Sequence, residues 1–447
     1  MTEEISDYRL QHLYKSKIAR NPADAKLLIA QLYCGAKLIK GQNSMPAAFV
    51  IANREKAKIF GTAMCKNSWA CPVCSAVMMS KYAAEIACAI DALREPKYNQ
   101  LACMITFTVP HTSGMSCYET TEILYNTWKR FVLRGNKLMN HRYYTKDGMQ
   151  IGKTFYKEPF SEFCTEMNCT HRVRVGEYTW GTQGWHPHFH CLFWVDADKI
   201  QKVTKYEEAM RKHWYHICKL ETLKMWNKLH PQKRDDNLKR VNIMYSKLDK
   251  DSHCVYISKD KSGAVIVQKS SMYICGWGAD KELTGNYRAK ATHENHLTPH
   301  QILDKAYESK GDEREKWLDL YMEYARATRL KRHARINFST HSGIKNIIKL
   351  WKQTQTYREV LKKKAIQQAE NVGRWAVIGW FSEQDWLKIC LLEKQIPIKA
   401  MILEKYHDSY EDGDELLAPY NIRLRRPEEF PDRMFNSLLE NEILAVS

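Results

Sequence analysis

The stretch that most constrains this chain is GWHPHFHCLFWV, residues 184–195. Its second half reads as a buried β-strand, yet its first half sets a histidine at every second position. Side chains alternate across a strand, so His186, His188 and His190 share one face while Pro187, Phe189 and Cys191 share the other. One face is made to pack and the other to bind. Three purely structural imidazoles on one strand face would each need a separate hydrogen-bond partner, so a metal ion or a phosphate is the better-fitting occupant.

The preceding stretch, THRVRVGEYTW, reads as a second strand, and GTQG between the two reads as a turn. An antiparallel hairpin of this length brings Glu177 opposite the histidine strand. Two imidazoles plus a carboxylate suit Mg²⁺, Mn²⁺ or another divalent ion with open positions. A three-histidine zinc site, with His186 replacing Glu177, is the rival ligand set. Without an ion, Glu177 is an ordinary carboxylate at a strand end.

Around this hairpin the pattern alternates between the strand and helix periods. LACMITFTVPH reads as a strand and SCYETTEILYNTWKRFVLRGNKLM as a helix. After the hairpin come a second helix, KIQKVTKYEEAMRKHWYHICKLETLKMW, a last strand, HCVYISKD, and a helical reading of SSMYICGW. The βαββαβα order predicts an α+β fold, an antiparallel sheet with packed helices and the histidines on an interior strand. Residues 1–60 read as a helical lead-in, and the chain beyond residue 290 as helical and polar. The boundaries expected from these shifts are 1–98, 99–290, 291–350, 351–427 and a tail, 428–447, with the last forty or so residues read as loosely ordered.

Upstream of the sheet, CKNSWACPVC places Cys65, Cys71 and Cys74 in a C-x5-C-x2-C cluster that feeds a helix of about five turns. CPxC turns present two thiolates to zinc, so a structural Zn²⁺ site is expected. The fourth ligand is not local. Cys34 is the nearest upstream thiol and His12 the only upstream histidine, and of the two Cys34 is the expected ligand. The alternative is a set of ordinary buried cysteines around Trp69.

With 69 Lys plus Arg against 51 Asp plus Glu, the 447-residue chain carries a formal charge of +18. Such an excess fits a polyanionic partner, most often nucleic acid, because lysines and arginines that neutralise phosphates release condensed counterions. Basic helices such as 199–229 and the stretch YREVLKKK at 357–364 are candidate backbone contacts. No run approaches the roughly 18 uninterrupted apolar residues of a membrane span. The N-terminus is acidic and polar where a signal peptide is basic and then apolar. The remaining cysteines, such as Cys88, Cys103 and Cys191, are scattered in apolar runs as reduced thiols are. A cytoplasmic protein without a membrane partner is expected.

Phosphodiester chemistry at such a metal site needs a nucleophile, and SSMYICGWGADKELTG offers Tyr273, with Trp277 one turn later on a helical face. A free phenol, with a pKa of about 10, is a poor nucleophile and needs a nearby cation or a metal-bound phosphate. Taken alone, one of 24 tyrosines is a core residue. GMQIGKT at 148–154 resembles a phosphate-binding loop but is one residue too short between its glycines. It is better read as part of a hairpin turning at Asp147 and Gly148, so no NTPase is expected.

Together these residues resemble the rolling-circle replication initiators of bacterial plasmids, members of the HUH endonuclease superfamily. MITFTVPH, with Thr106 and Thr108, resembles the family's first motif, a strand with alternating hydroxyls. GWHPHFHCLFW resembles its metal motif, with His188, Phe189 and His190 as the HUH element. YICGWGADKELTG is similar to its tyrosine motif, and the cysteine cluster to the zinc-like element that precedes the first motif in one branch. The likeness extends over roughly residues 60–405. It implies a nickase and strand transferase acting on a single-stranded or extruded hairpin site in a plasmid origin. A Mg²⁺ or Mn²⁺ ion at His188, His190 and Glu177 and attack by Tyr273 would leave a 5′-phosphotyrosine and a free 3′-OH. His186 would support the phosphate, and a host helicase and polymerase would be the partners.

Two positions depart from the family pattern. Gly276 stands where the family usually has a lysine, so either Lys281 or Lys269 takes that place or activity is reduced. Lys269 itself stands where some relatives carry a glutamate that serves termination, which leaves the second cleavage open. Three other readings share some of these features. An HUH single-strand transposase shares the histidines and the cysteine knuckle. A conjugative relaxase usually has its tyrosine before the histidines. A zinc-dependent DNA-binding regulator with a dead active site draws on Gly276.

Overall fold

The computed structural model describes residues 3–39, 47–52, 57–65, 69–133, 139–144, 150–156, 159–169, 171–247, 254–270, 296–329, 334–335, 344–354, 358–359, 376–408, 410–426 and 429. In chain order the strands are β1 (Ala48–Ala52), β2 (Ala57–Phe60), β3 (Gln100–Thr108), β4 (Met139–Tyr144), β5 (Gln150–Tyr156), β6 (His171–Gly181), β7 (Gly184–Asp196), β8 (Val255–Ile257), β9 (Ala334–Arg335) and β10 (Ala376–Phe381). They form antiparallel sheets that pack with helices, the α+β class expected from the sequence.

The chain divides into two compact units. One comprises Met1–Lys81, His300–Arg329 and Thr354–Ser447; the other comprises Tyr82–Pro299 and Leu330–Gln353. This differs from the successive segments read from the sequence. The cause is β1 and β2, which lie in the stretch read as a helical lead-in. β1 pairs with β10, more than three hundred residues later, so the two ends of the chain share one sheet, in the order β10-β1-β2. β1, AAFVIA in its sequence setting, is buried at all five positions, and a short apolar run of this kind carries no period to tell strand from helix. Its core includes Val50, Ile59, Phe381, Trp386, Ile402 and Leu403. The helix Glu3–Arg20 belongs to this unit, with Tyr14 edge-on to Tyr321, ring centroids 5.3 Å apart.

The second unit holds a five-stranded sheet in the order β8-β3-β7-β6-β9, with the histidine strand β7 at its centre as expected. Alternation places Cys103, Ile105 and Phe107 of β3 and Phe189, Cys191 and Phe193 of β7 on one face. There they share a core with Ile123 and Phe131 of the helix Cys117–Leu133 and with Met210, Trp214 and Ile217 of the helix Glu207–Leu229. Phe107 alone meets Trp128, Phe131, Phe193 and Trp214 at centroid distances of 5.0–6.4 Å. Each such aromatic contributes roughly 1.5–3 kcal/mol by burial. This packing fixes the sheet register, because a slip by one residue would turn the aromatics to the other face and the histidines into the core.

Other expectations fall out as follows. β4 and β5 pair as the expected hairpin, whose turn at Asp147 and Gly148 lies outside the described residues. The helical reading of SSMYICGW and most of the 357–364 stretch also lie outside them. The chain beyond residue 408 is more ordered than expected as far as residue 426, with a helix at Tyr410–Leu417 and Ile422 and Leu424 in the first unit's core. One helix, Pro72–Arg94, is long and apolar enough to cross a membrane by length and composition, although polar residues interrupt its sequence. Its last turns bury Ile86, Cys88, Ile90 and Leu93, and its Asp91 accepts two contacts from the Ser270 hydroxyl at 2.7 and 2.8 Å. Those last turns are buried within the protein. No disulfide joins the described cysteines.

Candidate metal centres

The face of the second sheet away from its aromatic core carries the chemistry. Along β7, Trp185, Pro187, Phe189 and Cys191 are buried while His186, His188 and His190 are only partly so. The register sets Glu177 of β6 across from His188, Val175 across from His190 and Thr179 across from His186. On the other side β3 sets Thr106 across from His190 and Thr108 across from His188. Every one of these side chains shares a face because direct cross-strand partners do.

Three donor atoms meet there. Glu177 Oε2 lies 2.6 Å from His188 Nε2 and 2.7 Å from His190 Nε2, and the two nitrogens are 3.1 Å apart. A triangle this small lets one cation touch all three donors at bond lengths of about 2.0–2.2 Å. The three donors come from one sheet face, so the coordination positions away from the sheet are left for other ligands. Two imidazoles and a carboxylate in this arrangement fit a divalent transition-type or hard cation.

Neighbouring groups orient these donors. Thr106 Oγ1 is 3.0 Å from His190 Nδ1; with an ion bound, accepting the proton there would leave the lone pair of His190 on Nε2, where an ion needs it. Burial opposes ionisation of Glu177, but the charge of His188 and hydrogen bonds from both histidines outweigh it and hold the carboxyl well below its usual range. His188 is pushed down by burial and pulled up further by Glu177, ending above its ordinary value. An anionic carboxylate is thus held in place with its two imidazoles.

His186 stands apart from this set. Its Nε2 lies 3.2 Å from Thr108 Oγ1, and it is not among the ligand atoms that converge. The three-histidine rival is therefore not the group assembled among the described residues. Burial, aided by His188, His111 and His296, lowers the pKa of His186 to about 3, so its imidazole is neutral. A neutral ring can accept or donate one hydrogen bond but brings no positive charge to a phosphate. Two further histidines border it: His111, with ring centroids 4.8 Å apart, and His296, stacked at 6.5 Å. Sequence reasoning missed both. His111 follows the end of β3 and could have been read as its extension, whereas His296 arrives through the pairing of Leu297 with Trp180, which no local signal reveals.

Tyr273 and Lys281, with Gly276, lie outside the described residues. Lys269 lies within them, beside Ser270 and its Asp91 contact.

The second centre lies in the first unit. Cys65, Cys71 and Cys74 are brought together, and Cys34 joins them: its sulfur is 3.1 Å from that of Cys74 and 3.7 Å from that of Cys71, with Cys65 and Cys74 3.2 Å apart. All four are buried, and their sulfurs form a group able to hold a metal ion such as zinc. Hydrogen bonds from Cys65, Cys71 and Cys74 hold the Cys34 thiol well below its usual pKa, while Cys65 and Cys74 are pushed up in return. Four sulfurs competing for protons in a buried space fit a cation that replaces those protons. Gln11 donates from Nε2 to Cys71 Sγ at 3.0 Å, a support that the helical spacing of Gln11 and Lys15 hints at but does not reveal.

A comparison with protein-family models, with curated proteins and with solved structures finds no match to this chain.

Proposed function

We propose that this protein is a metal-dependent DNA nickase and strand transferase that starts rolling-circle replication of a plasmid, with its sheet belonging to the HUH endonuclease fold. The observation that carries this reading is the meeting of Glu177, His188 and His190 on the open face of the β6–β7 hairpin. The formal charge of +18 supports DNA as the partner.

A Mg²⁺ or Mn²⁺ ion held by these three side chains would act as a Lewis acid toward a phosphate oxygen. The chain's own contribution is placement. β6 and β7 hold the carboxylate and imidazoles in register, Thr106 sets the tautomer of His190, and the aromatic core behind the sheet prevents the strands from shifting. Neutral His186, with Thr108, lines the neighbouring space where a DNA phosphate or sugar would lie. Tyr273 is the proposed nucleophile: its phenol gives up its proton to solvent, its oxygen forms a bond to phosphorus, the P–O3′ bond breaks, and the 3′ oxygen takes up a proton and leaves as the 3′-OH primer end. The covalent link retains the phosphodiester energy for rejoining, which hydrolysis would lose. Lys281 or Lys269 is the proposed cation for the phenolate or phosphate, and a host helicase and polymerase would extend the nick.

The test uses the full chain and labelled single strands tiled across the DNA that flanks its gene. A Mn²⁺-dependent protein–DNA adduct that Tyr273→Phe abolishes supports the reading. Tight binding with no adduct under any metal condition favours a regulator.

A further inference from the structure

We propose that Lys15 and Lys399 are the counter-cations of a metal-bound tetrathiolate at Cys34, Cys65, Cys71 and Cys74, so that ion binding and the seating of the helix Ile398–Asp408 are one linked equilibrium. This rests on the reading of the four cysteines as a structural metal site.

A divalent ion with four thiolates leaves two negative charges uncompensated, and all four cysteines are buried. A buried charge without a partner is strongly disfavoured, so such a site needs nearby positive groups or donors. The structure supplies two ammonium groups on consecutive carbonyls of the loop that carries Cys34. Lys15 Nζ donates to the Cys34 carbonyl at 2.6 Å, and Lys399 Nζ donates to the Gly35 carbonyl at 3.2 Å. Gly35 sits at φ +71°, a left-handed conformation that glycine adopts without strain, and so the turn presents its carbonyl to Lys399.

Lys399 is the telling residue. It is only 2% exposed, its ammonium lies 4.9 Å from the Trp386 ring, and its side chain makes no ion pair among the described residues. The nearby carboxylate of Glu393 instead accepts from its backbone N–H, at 3.0 Å. Burial and the proximity of Lys15 depress the Lys399 pKa, and Cys390, the Glu393 carboxylate and Cys34, in that order, raise it again. Its ammonium thus feels the Glu393 carboxylate only at longer range, donates to the carbonyl next to Cys34, and stands where a second counter-charge, the anionic cluster, is one residue away along the loop. The linkage joins distant parts of the sequence: Gln11 and Lys15 from the first helix, Cys34 from the loop after it, the CPVC turn, and Lys399 from the C-terminal third.

The experiment titrates the metal-free full chain with Co²⁺, read by the thiolate-to-metal charge-transfer band, and then displaces Co²⁺ with Zn²⁺. The wild type is compared with Lys399→Met, Lys15→Met and Lys394→Met. Lys394 is exposed, so its variant removes the same charge from the same unit without touching the site. Lys399→Met and Lys15→Met are expected to weaken Zn²⁺ by about tenfold or more, as outer groups of metal sites do, and Lys394→Met by less than about twofold. Zn²⁺ affinities of both site variants equal to that of Lys394→Met overturn the proposal. Should Lys399→Met fail to fold, Lys15→Met against Lys394→Met decides. A thermal melt separates a packing role: the account expects Lys399→Met to destabilise the Zn²⁺-loaded protein and not the metal-free one, whereas equal loss in both overturns it. A wild-type chain that binds neither ion overturns the tetrathiolate reading itself.

Discussion

Glu177 Oε2 and His188 Nε2 lie 2.6 Å apart as direct cross-strand partners, joined by a turn of only two residues between β6 and β7. The contact follows from backbone register. The pair stays in place as long as the hairpin does, and the hairpin is held by the aromatic core on the opposite face. Ion binding and fold integrity are therefore separable by mutation.

Glu177→Gln keeps the shape of the side chain but removes the charge that balances a cation. Mn²⁺ affinity measured by calorimetry on the full chain should fall at least tenfold, with the melting temperature little changed, because the substituted atoms are at a partly exposed face. His188→Ala should abolish the measurable affinity.

Thr106→Val tests the orienting hydroxyl. The residue is buried and nearly isosteric with valine, so the sheet should persist, while His190 Nδ1 loses its partner. The expected cost is about 10–100-fold in Mn²⁺ affinity or in adduct formation. An unchanged affinity would show that the hydroxyl has no part in setting the tautomer.

Phe189→Ala acts on the other face of the same strand. It removes a fully buried ring that packs on Tyr125 and Trp128, and should destabilise the second unit by roughly 3–5 kcal/mol in denaturant unfolding. A loss below about 1 kcal/mol would mean that this core does not fix the strand.

His300 makes the first unit pH-sensitive. Its Nε2 lies 3.1 Å from Asp7 Oδ1 and its Nδ1 3.1 Å from Asp304 Oδ2. Burial lowers its pKa, but the two aspartates outweigh burial and leave it above the ordinary 6.5. A pKa raised in the folded state stabilises fully below the unfolded value and is lost as pH rises through the folded one. Thermal melts should therefore show the difference between wild type and His300→Gln to be largest below about pH 6.5 and to shrink above it. A difference constant from pH 5.5 to 8.5 would contradict this.

The hairpin was legible because its signals are local: the period of two, the GTQG turn, and a separation of only eleven positions from Glu177 to His188. The helices after β3 and before β8 were legible for the same reason. β1 and β2 were not, since their partner β10 lies at the far end of the chain and their apolar runs carry no period. Cys34 could be chosen only as the nearest thiol; its loop is folded onto the CPVC turn by contacts that no spacing encodes. Lys399 and His296 belong to the same category, placed by long-range packing. His186 shares its strand face with the ligands, and only the atomic distances separate it from them, because Thr108 engages its Nε2.

The measurement that bears most directly on the central claim is the denaturing gel of full-length protein with tiled single strands, with Mn²⁺ or chelator. It compares wild type, Tyr273→Phe and Glu177→Gln. The account predicts a covalent adduct for wild type with Mn²⁺ only, none for Tyr273→Phe, and at least tenfold less for Glu177→Gln. A wild type that binds the strands but never becomes attached, or an adduct that survives both substitutions, would contradict it.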